Sequence, residues 1–169
     1  MYVGALQAFQ CVRAHIVALP ITDSGTNTAA LAALLAGGVR PRVVHTVSNF
    51  HNPSGVTATK GTREELANLA ESYGFWIIED DPYGRLRFDG EPQSPIPDES
   101  VIRLGSASKT LAPALRVGWL NAPPAIVSLV ERLKQCADLC GSTLNQLMVA
   151  EMLSDTSWFE SHVSNVTSE

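Results

Sequence analysis

The chain has 169 residues, one ordinary domain by length, with 45% apolar residues to build a core and only 17% charged ones, low for a disordered chain. A formal charge of −5 and the absence of any basic run argue against a surface that neutralises nucleic-acid phosphates. No stretch reaches the roughly 20 apolar residues of a membrane span, and residues 1–10 are not basic-then-apolar, so neither an anchor nor a signal peptide is expected.

In chain order, residues 28–36 (TAALAALLA) predict a helix ended by Gly37-Gly38. Residues 42–48 (RVVHTVS) are short and β-branched, hence a strand. Residues 62–73 (TREELANLAESY) predict a helix opened by a threonine cap with acidic residues behind it and stopped by Gly74. Residues 75–79 (FWIIE) form a continuous apolar run, as in a strand buried on both faces. After a loop containing Pro82, Pro92, Pro95 and Pro97, strands are expected at 101–104 and 116–120. A long helix should follow from Pro123-Pro124 to about Cys140, then another from Ser142 or Thr143 to Leu153, while the tail beyond Trp158 shows no stop signal. Strands alternating with helices predict an α/β fold with a mostly parallel sheet and flanking helices.

The three cysteines, Cys11, Cys136 and Cys140, show no framework spacing, which suits a reducing compartment, and the cytosol is the expected location. Cys136 and Cys140 lie four apart, one turn on a helix face, with no histidine near them in sequence. They are expected to be small buried hydrophobes, and no metal site is expected.

In sheets of this kind functional groups gather at the carboxyl ends of the strands. Three distinctive loops fall there. "NFHNPSG" follows the strand at 42–48; it is a good turn sequence, and Asn52 could also offer a neutral amide to a ligand oxygen. "DDPYG" follows the strand at 75–79. There Asp80 either caps a backbone turn or waits for a protonated nitrogen, since a carboxylate at a buried strand tip is costly without a cation or donors. "GSASKT" follows the strand at 101–104, where Ser106, Ser108 and the later Arg116 can all donate to a phosphate and Lys109 supplies an amine. One cofactor asks for this combination. Pyridoxal phosphate condenses with a lysine amine, works as an electron sink when its pyridine nitrogen is kept protonated by a carboxylate, and needs donors for its phenolic oxygen and an anchor for its phosphate.

The stretches "FHNPSG", "EDDPYG" and "SASKTLAPALRVGW", in this order, resemble the class I/II, fold-type-I pyridoxal-phosphate-dependent aminotransferases, in particular the aminoadipate and kynurenine aminotransferase branch. The resemblance implies that Lys109 forms the internal aldimine and then shuttles the proton between the substrate Cα and the cofactor C4′. It implies that Asp80 pairs with the pyridine nitrogen, that Asn52 and Tyr83 hydrogen-bond the phenolic oxygen, and that Ser106, Ser108 and Arg116 hold the phosphate. Tyr2, in "YVGALQ", matches the aromatic that stacks on the cofactor ring; otherwise it would read as a frayed terminal residue.

Measured against that family, the chain resembles the central and later part of the large domain. Residues 1–154 would belong to the cofactor-binding large domain, and 155–169 would begin the connection to a small C-terminal domain. The segment completing the phosphate cup and the arginine that clamps the substrate carboxylate are not matched, so this stretch by itself is expected to have little aminotransferase activity. The activity implied for the family is exchange of an amino group between an amino acid and a 2-oxo acid, by a homodimer. Two other readings stand beside it: the cofactor-binding effector domain of a transcription regulator, and an inactive remnant.

Overall fold

A computed structural model describes residues 2–97 and 99–168. The chain divides into two compact units, Met1–Asp80 with Gln93–Val101, and Asp81–Pro92 with Ile102–Glu169.

The first unit opens with α1 (Val3–Cys11), for which Tyr2 is the N-cap residue. A small antiparallel ribbon follows, β1 (Ile21–Thr22) against β2 (Gly25–Thr26). Gly25 sits at φ +111°, and a Cβ there would lie 2.7 Å from the Cβ of Ala58, so no larger residue fits. Helix α2 (Thr28–Ala36) has the predicted bounds, but its cap is Asn27, whose side chain accepts from Ala30 N–H at 2.8 Å. Strand β3 (Val43–Thr46) is the core of the expected strand at 42–48.

Helix α3 (Lys60–Tyr73) begins two residues before the expected start. Thr59, not Thr62, is its cap, because the Thr59 hydroxyl accepts from Thr62 N–H at 3.3 Å. Gly74 ends it in the left-handed region at φ 69°, returning its N–H to the Ala70 carbonyl. Strand β4 (Trp76–Asp80) runs parallel to β3, in register from Val43 opposite Trp76 to Thr46 opposite Glu79. One side-chain set of β4 is buried and the other half-buried, rather than both being fully covered.

Leu31 and Leu35 of α2, Leu66, Ala67 and Ala70 of α3, Val44 of β3 and Phe75 and Ile77 at β4 form one apolar cluster, closed by Ile96 and Val101. This is what the helix period of 3.6 and the strand period of 2 deliver when each element turns one face inward. Leu35, Ala70 and Ile77 have no exposed surface.

The second unit contains β5 (Val101–Ser106), the short helix α4 (Ala107–Thr110), a 3-10 turn at Pro113–Leu115 and β6 (Gly118–Asn121). Here the expectation of parallel pairing meets a difference: β5 and β6 are antiparallel, with Arg103 opposite Asn121 and Ser106 opposite Gly118. Only eleven residues, 107–117, separate the two strands, short of the dozen or more that a parallel crossover needs. Arg116, expected within the strand, precedes it at φ 52°.

Three helices complete this unit: α5 (Pro124–Asp138), α6 (Thr143–Ser154) and α7 (Thr156–Ser168). The tail without a stop signal is thus helix α7, opened by Asp155, whose carboxylate accepts from Trp158 N–H at 3.0 Å. Helix α5 buries none of its residues, although Leu129 and Leu133 lie on it.

The cysteines overturn their expected burial: Cys11, Cys136 and Cys140 are all exposed. Helix α5 ends at Asp138, so Cys140 lies beyond it and does not share a helical face with Cys136. Among the described residues no helix is long and apolar enough to cross a membrane, and no group of three or more His, Cys, Asp or Glu could hold a metal ion.

Candidate functional site

In the first unit, strand β4 delivers Asp80 at its last position, as alternation along the strand requires once Ile77 and Glu79 point inward. The Asp80 side chain is 20% exposed. Behind it stands His45 of β3, 5% exposed, with Nε2 3.4 Å from Asp80 Oδ2 and the edge of the ring against Phe9. The turn that Asp80 could have capped is held instead by Asp81, whose Oδ1 accepts from Gly84 N–H at 2.9 Å within the second unit. The Asp80 carboxylate itself faces His45 rather than this turn.

Asn52 lies in an exposed turn, joined to Pro53 by a cis peptide bond. The loop is closed by its own backbone: His51 N–H donates to Val56 O at 2.8 Å, and Ala58 N–H to Ser48 O at 2.8 Å. Phe50 is carried at φ 48°, a conformation a bulky side chain rarely adopts and one found where surrounding contacts fix the backbone. His51 shares a short contact with Ser54 Oγ at 2.8 Å. Its partial burial, and then neighbouring positive charge including His45, hold its pKa below the ordinary imidazole value of 6.5. Tyr2 is 58% exposed, and its ring lies over Gly4, where a Cβ would come within 2.6 Å of it.

In the second unit the lysine loop is built by capping. Ser106 closes β5 and opens α4; its Oγ accepts from Ser108 N–H at 3.1 Å. Used as an acceptor in this way, the Ser106 hydroxyl still has its own proton to donate to an anion. Lys109 is exposed on α4, with Nζ 6.0 Å from the centroid of the Tyr83 ring, at the outer edge of cation–π range. Arg116 is exposed, donates one N–H to Pro113 O at 3.1 Å, and has further guanidinium protons for an anion.

Sequence reasoning did not single out the groups that hold this loop in shape. Ala107 N–H donates to Val117 O at 3.0 Å, tying the start of α4 to the residue after Arg116. The Asn145 amide of α6 donates to Leu115 O at 2.9 Å, and the His162 ring of α7 meets Thr110 O at 2.9 Å. Both clamps join residues 30 or more positions apart, beyond the reach of any spacing rule.

A cleft of about 290 Å³ in the second unit is lined by Ser106, Trp119, Phe159 and the ion pair Arg85–Glu160, among others. Lys109, Ser108 and Arg116 do not line it, whereas Ser106 and Thr110 do, so the cleft borders the lysine turn without including its amine. The first unit supplies a strand-end carboxylate and a loop amide; the second supplies an amine, an aromatic face, and hydroxyl and guanidinium donors. That donor set fits an anionic phosphate, a protonated ring nitrogen and an aldehyde.

The family description "Aminotransferase class I and II" matches residues 2–168. An aromatic-amino-acid aminotransferase of Thermococcus litoralis is 39% identical over 98% of this chain and 41% of its own length. The solved kynurenine aminotransferase of Pyrococcus horikoshii is 37% identical, with a TM-score of 0.92 over 99% of this chain and 43% of its own. An uncharacterised HTH-type transcriptional regulator of Bacillus subtilis, YisV, is 32% identical over 96% of this chain and 34% of its own length. The chain therefore spans less than half the length of the relatives it matches, with the α/β architecture of fold-type-I aminotransferases. It belongs to the class I and II aminotransferase family.

Proposed function

We propose that the protein containing this chain is a pyridoxal-phosphate-dependent aminotransferase that exchanges an amino group between an amino acid and a 2-oxo acid. The observation that carries the reading is Lys109 on the capped turn after β5, with the Ser106 hydroxyl three residues before it and the Tyr83 ring 6.0 Å from its amine. The kynurenine aminotransferase of Pyrococcus horikoshii was solved in complex with PMP, which supports the same choice of cofactor. When bound, such a cofactor supplies an aldehyde for the amine and a protonated ring that draws electrons from the substrate α-carbon.

The remaining work falls to the chain. Lys109 Nζ would anchor the cofactor and, once displaced by substrate, take and return the proton at the substrate α-carbon. Asp80 would hold the proton on the ring nitrogen as the charged half of an ion pair, with His45 behind it. Asn52 and the Tyr83 hydroxyl would donate to the phenolic oxygen, and Tyr2 would stack on the ring. Ser106, Ser108 and Arg116 would hold the phosphate, Arg116 through the planar fork that suits it. Residues 1–154 are read as large-domain sequence, with 155–169 leading towards a smaller domain. A homodimer in the cytoplasm is the accompanying proposal.

The test is to incubate the whole protein with pyridoxal phosphate, reduce with borohydride and find the modified residue by mass spectrometry. Label on Lys109, lost in Lys109→Ala, supports the reading. Label scattered over Lys60, Lys109 and Lys134, or none, refutes it. The likeness to YisV favours a second reading, a cofactor-sensing domain of a regulator. Exclusive Lys109 label with no turnover of any amino acid and 2-oxo acid would favour that one.

A further inference from the structure

Arg63 projects from α3 into the interior of the first unit with 3% of its side chain exposed, an unusual place for a cation. Its Nε–H donates to Ala58 O at 3.0 Å and an Nη1–H to Glu79 Oε1 at 3.1 Å. From Nη2 it donates to Ser48 O at 2.8 Å and to Asn49 Oδ1 at 2.9 Å. Ser48 and Asn49 open the loop that carries Asn52, Ala58 closes that loop, and Glu79 immediately precedes Asp80 in β4. Glu79 is in turn held by the Ser48 hydroxyl at 2.7 Å and by Ile96 N–H at 3.2 Å.

A buried ion pair is weak evidence of stability, because apolar side chains of similar volume often serve as well or better. The first unit has an apolar core, with Leu66 and Ala67 on the same helix and Ile77 on β4. What an apolar replacement lacks is direction. A guanidinium is a rigid planar fork, and here its donors meet both feet of one loop and the tip of one strand.

We infer that Arg63 is a positioning residue that sets the Asn52 loop against the end of β4, and so fixes the spacing between Asn52 and Asp80. The inference rests on the cofactor reading above, in which Asp80 contacts the pyridine nitrogen and Asn52 the phenolic oxygen of one ring. Lysine would keep the charge but, as a point donor, could not span the same acceptors. The loop would then be held to β4 only through the β3–β4 ladder and the Ser48–Glu79 contact, and the cofactor would lose alignment with one of its two contacts.

The experiment compares the whole protein with Arg63→Lys, Asn49→Ala and, as a control in the apolar core, Leu66→Ala. Two quantities are read: the cofactor dissociation constant and the pH midpoint of the bound cofactor's absorption, which reports the donors around its ring. Arg63→Lys should weaken binding by about tenfold, the lower end of what outer-shell partners contribute. It should also move the midpoint by about one pH unit, the scale of one lost charge or hydrogen-bond contact. Asn49→Ala, which removes one acceptor only, should move both in the same direction by less, and remains informative if Arg63→Lys does not fold. Leu66→Ala should lower the melting temperature and leave the midpoint in place. Unmoved midpoints in Arg63→Lys and Asn49→Ala, or an equal shift in Leu66→Ala, would overturn the inference. Wild-type protein without borohydride label on Lys109 would overturn the cofactor reading itself, and that is decided before any variant is measured.

Discussion

Gly105 is the residue whose replacement tests the lysine site most directly without touching a proposed ligand. It pairs with Trp119 across the antiparallel β5–β6 ladder, one position before Ser106. A Cβ built on Gly105 would lie 2.3 Å from two atoms of the Trp119 indole and 2.7 Å from a third. Contacts under 3.0 Å are essentially never seen and ordinary contact begins at 3.4 Å, so the ring or the strand must give by about 1 Å. Trp119 is 46% exposed, so the ring can swing outward, but it then loses its seat on the glycine. Overpacking of this kind costs about 1–3 kcal/mol. For a folded unit of 150–250 residues that is roughly 2–12 °C of melting temperature. Any shift of β6 is passed to α4 through the Ala107–Val117 hydrogen bond, so the yield of borohydride label on Lys109 should fall as well. The assay is a double-mutant cycle with Trp119→Ala. If the clash is the cause, Gly105→Ala should cost much less when the indole is gone. Equal cost in both backgrounds, or no cost in the wild type, would refute the reasoning.

Other expectations follow from the same contacts. Asp80→Asn replaces an anion with a neutral amide that cannot hold a protonated ring nitrogen, and the rate of amino transfer by the whole protein should drop by on the order of 100-fold or more. Tyr83→Phe keeps the ring beside Lys109 and loses only the hydroxyl, so label yield should persist while the absorption midpoint shifts; Tyr83→Ala should lose both. Thr59→Ala removes the α3 cap and should cost about 1 kcal/mol by urea unfolding, with no change in cofactor spectrum unless Arg63 moves. His51 predicts a pH effect. Because its folded pKa lies below 6.5, the unfolded chain binds a proton more readily, and stability present above that value is lost as pH falls towards the folded pKa. Urea midpoints at about pH 7.5 and about pH 5.5 should differ more for wild type than for His51→Gln, and equal differences would count against the sign worked here.

Much of the fold was legible in the chain because the rules that shaped it are local. Gly74 takes the left-handed conformation that stops α3, Gly37 ends α2, and the apolar runs at β3 and β4 fall within about two residues of where they were expected. The three candidate loops stand out in the sequence for the same reason, each lying at or near the end of a strand. The misses have two causes, one local and one not. Thr59 and Thr62 are both capping residues, and only the geometry of the first turn chooses between them. The exposure of Cys136 depends on what covers α5, which its own residues do not specify.

What the sequence by itself determined is the set of chemical groups and the order of elements that present them: the lysine on its capped turn, the strand-end aspartate, the asparagine loop. The tertiary structure decided the partnerships. Asp80 and Asp81 are chemically identical neighbours, and strand alternation turns one to His45 while the other caps a turn. Arg63, in a run reading TREEL, has the look of an ordinary solvent-facing helix charge. It is buried because Ser48, Asn49, Ala58 and Glu79 converge on it from three other segments of the chain. Helical and strand periods are properties of neighbours in sequence, whereas a buried ion pair or a β5–β6 register exists only once distant segments have met.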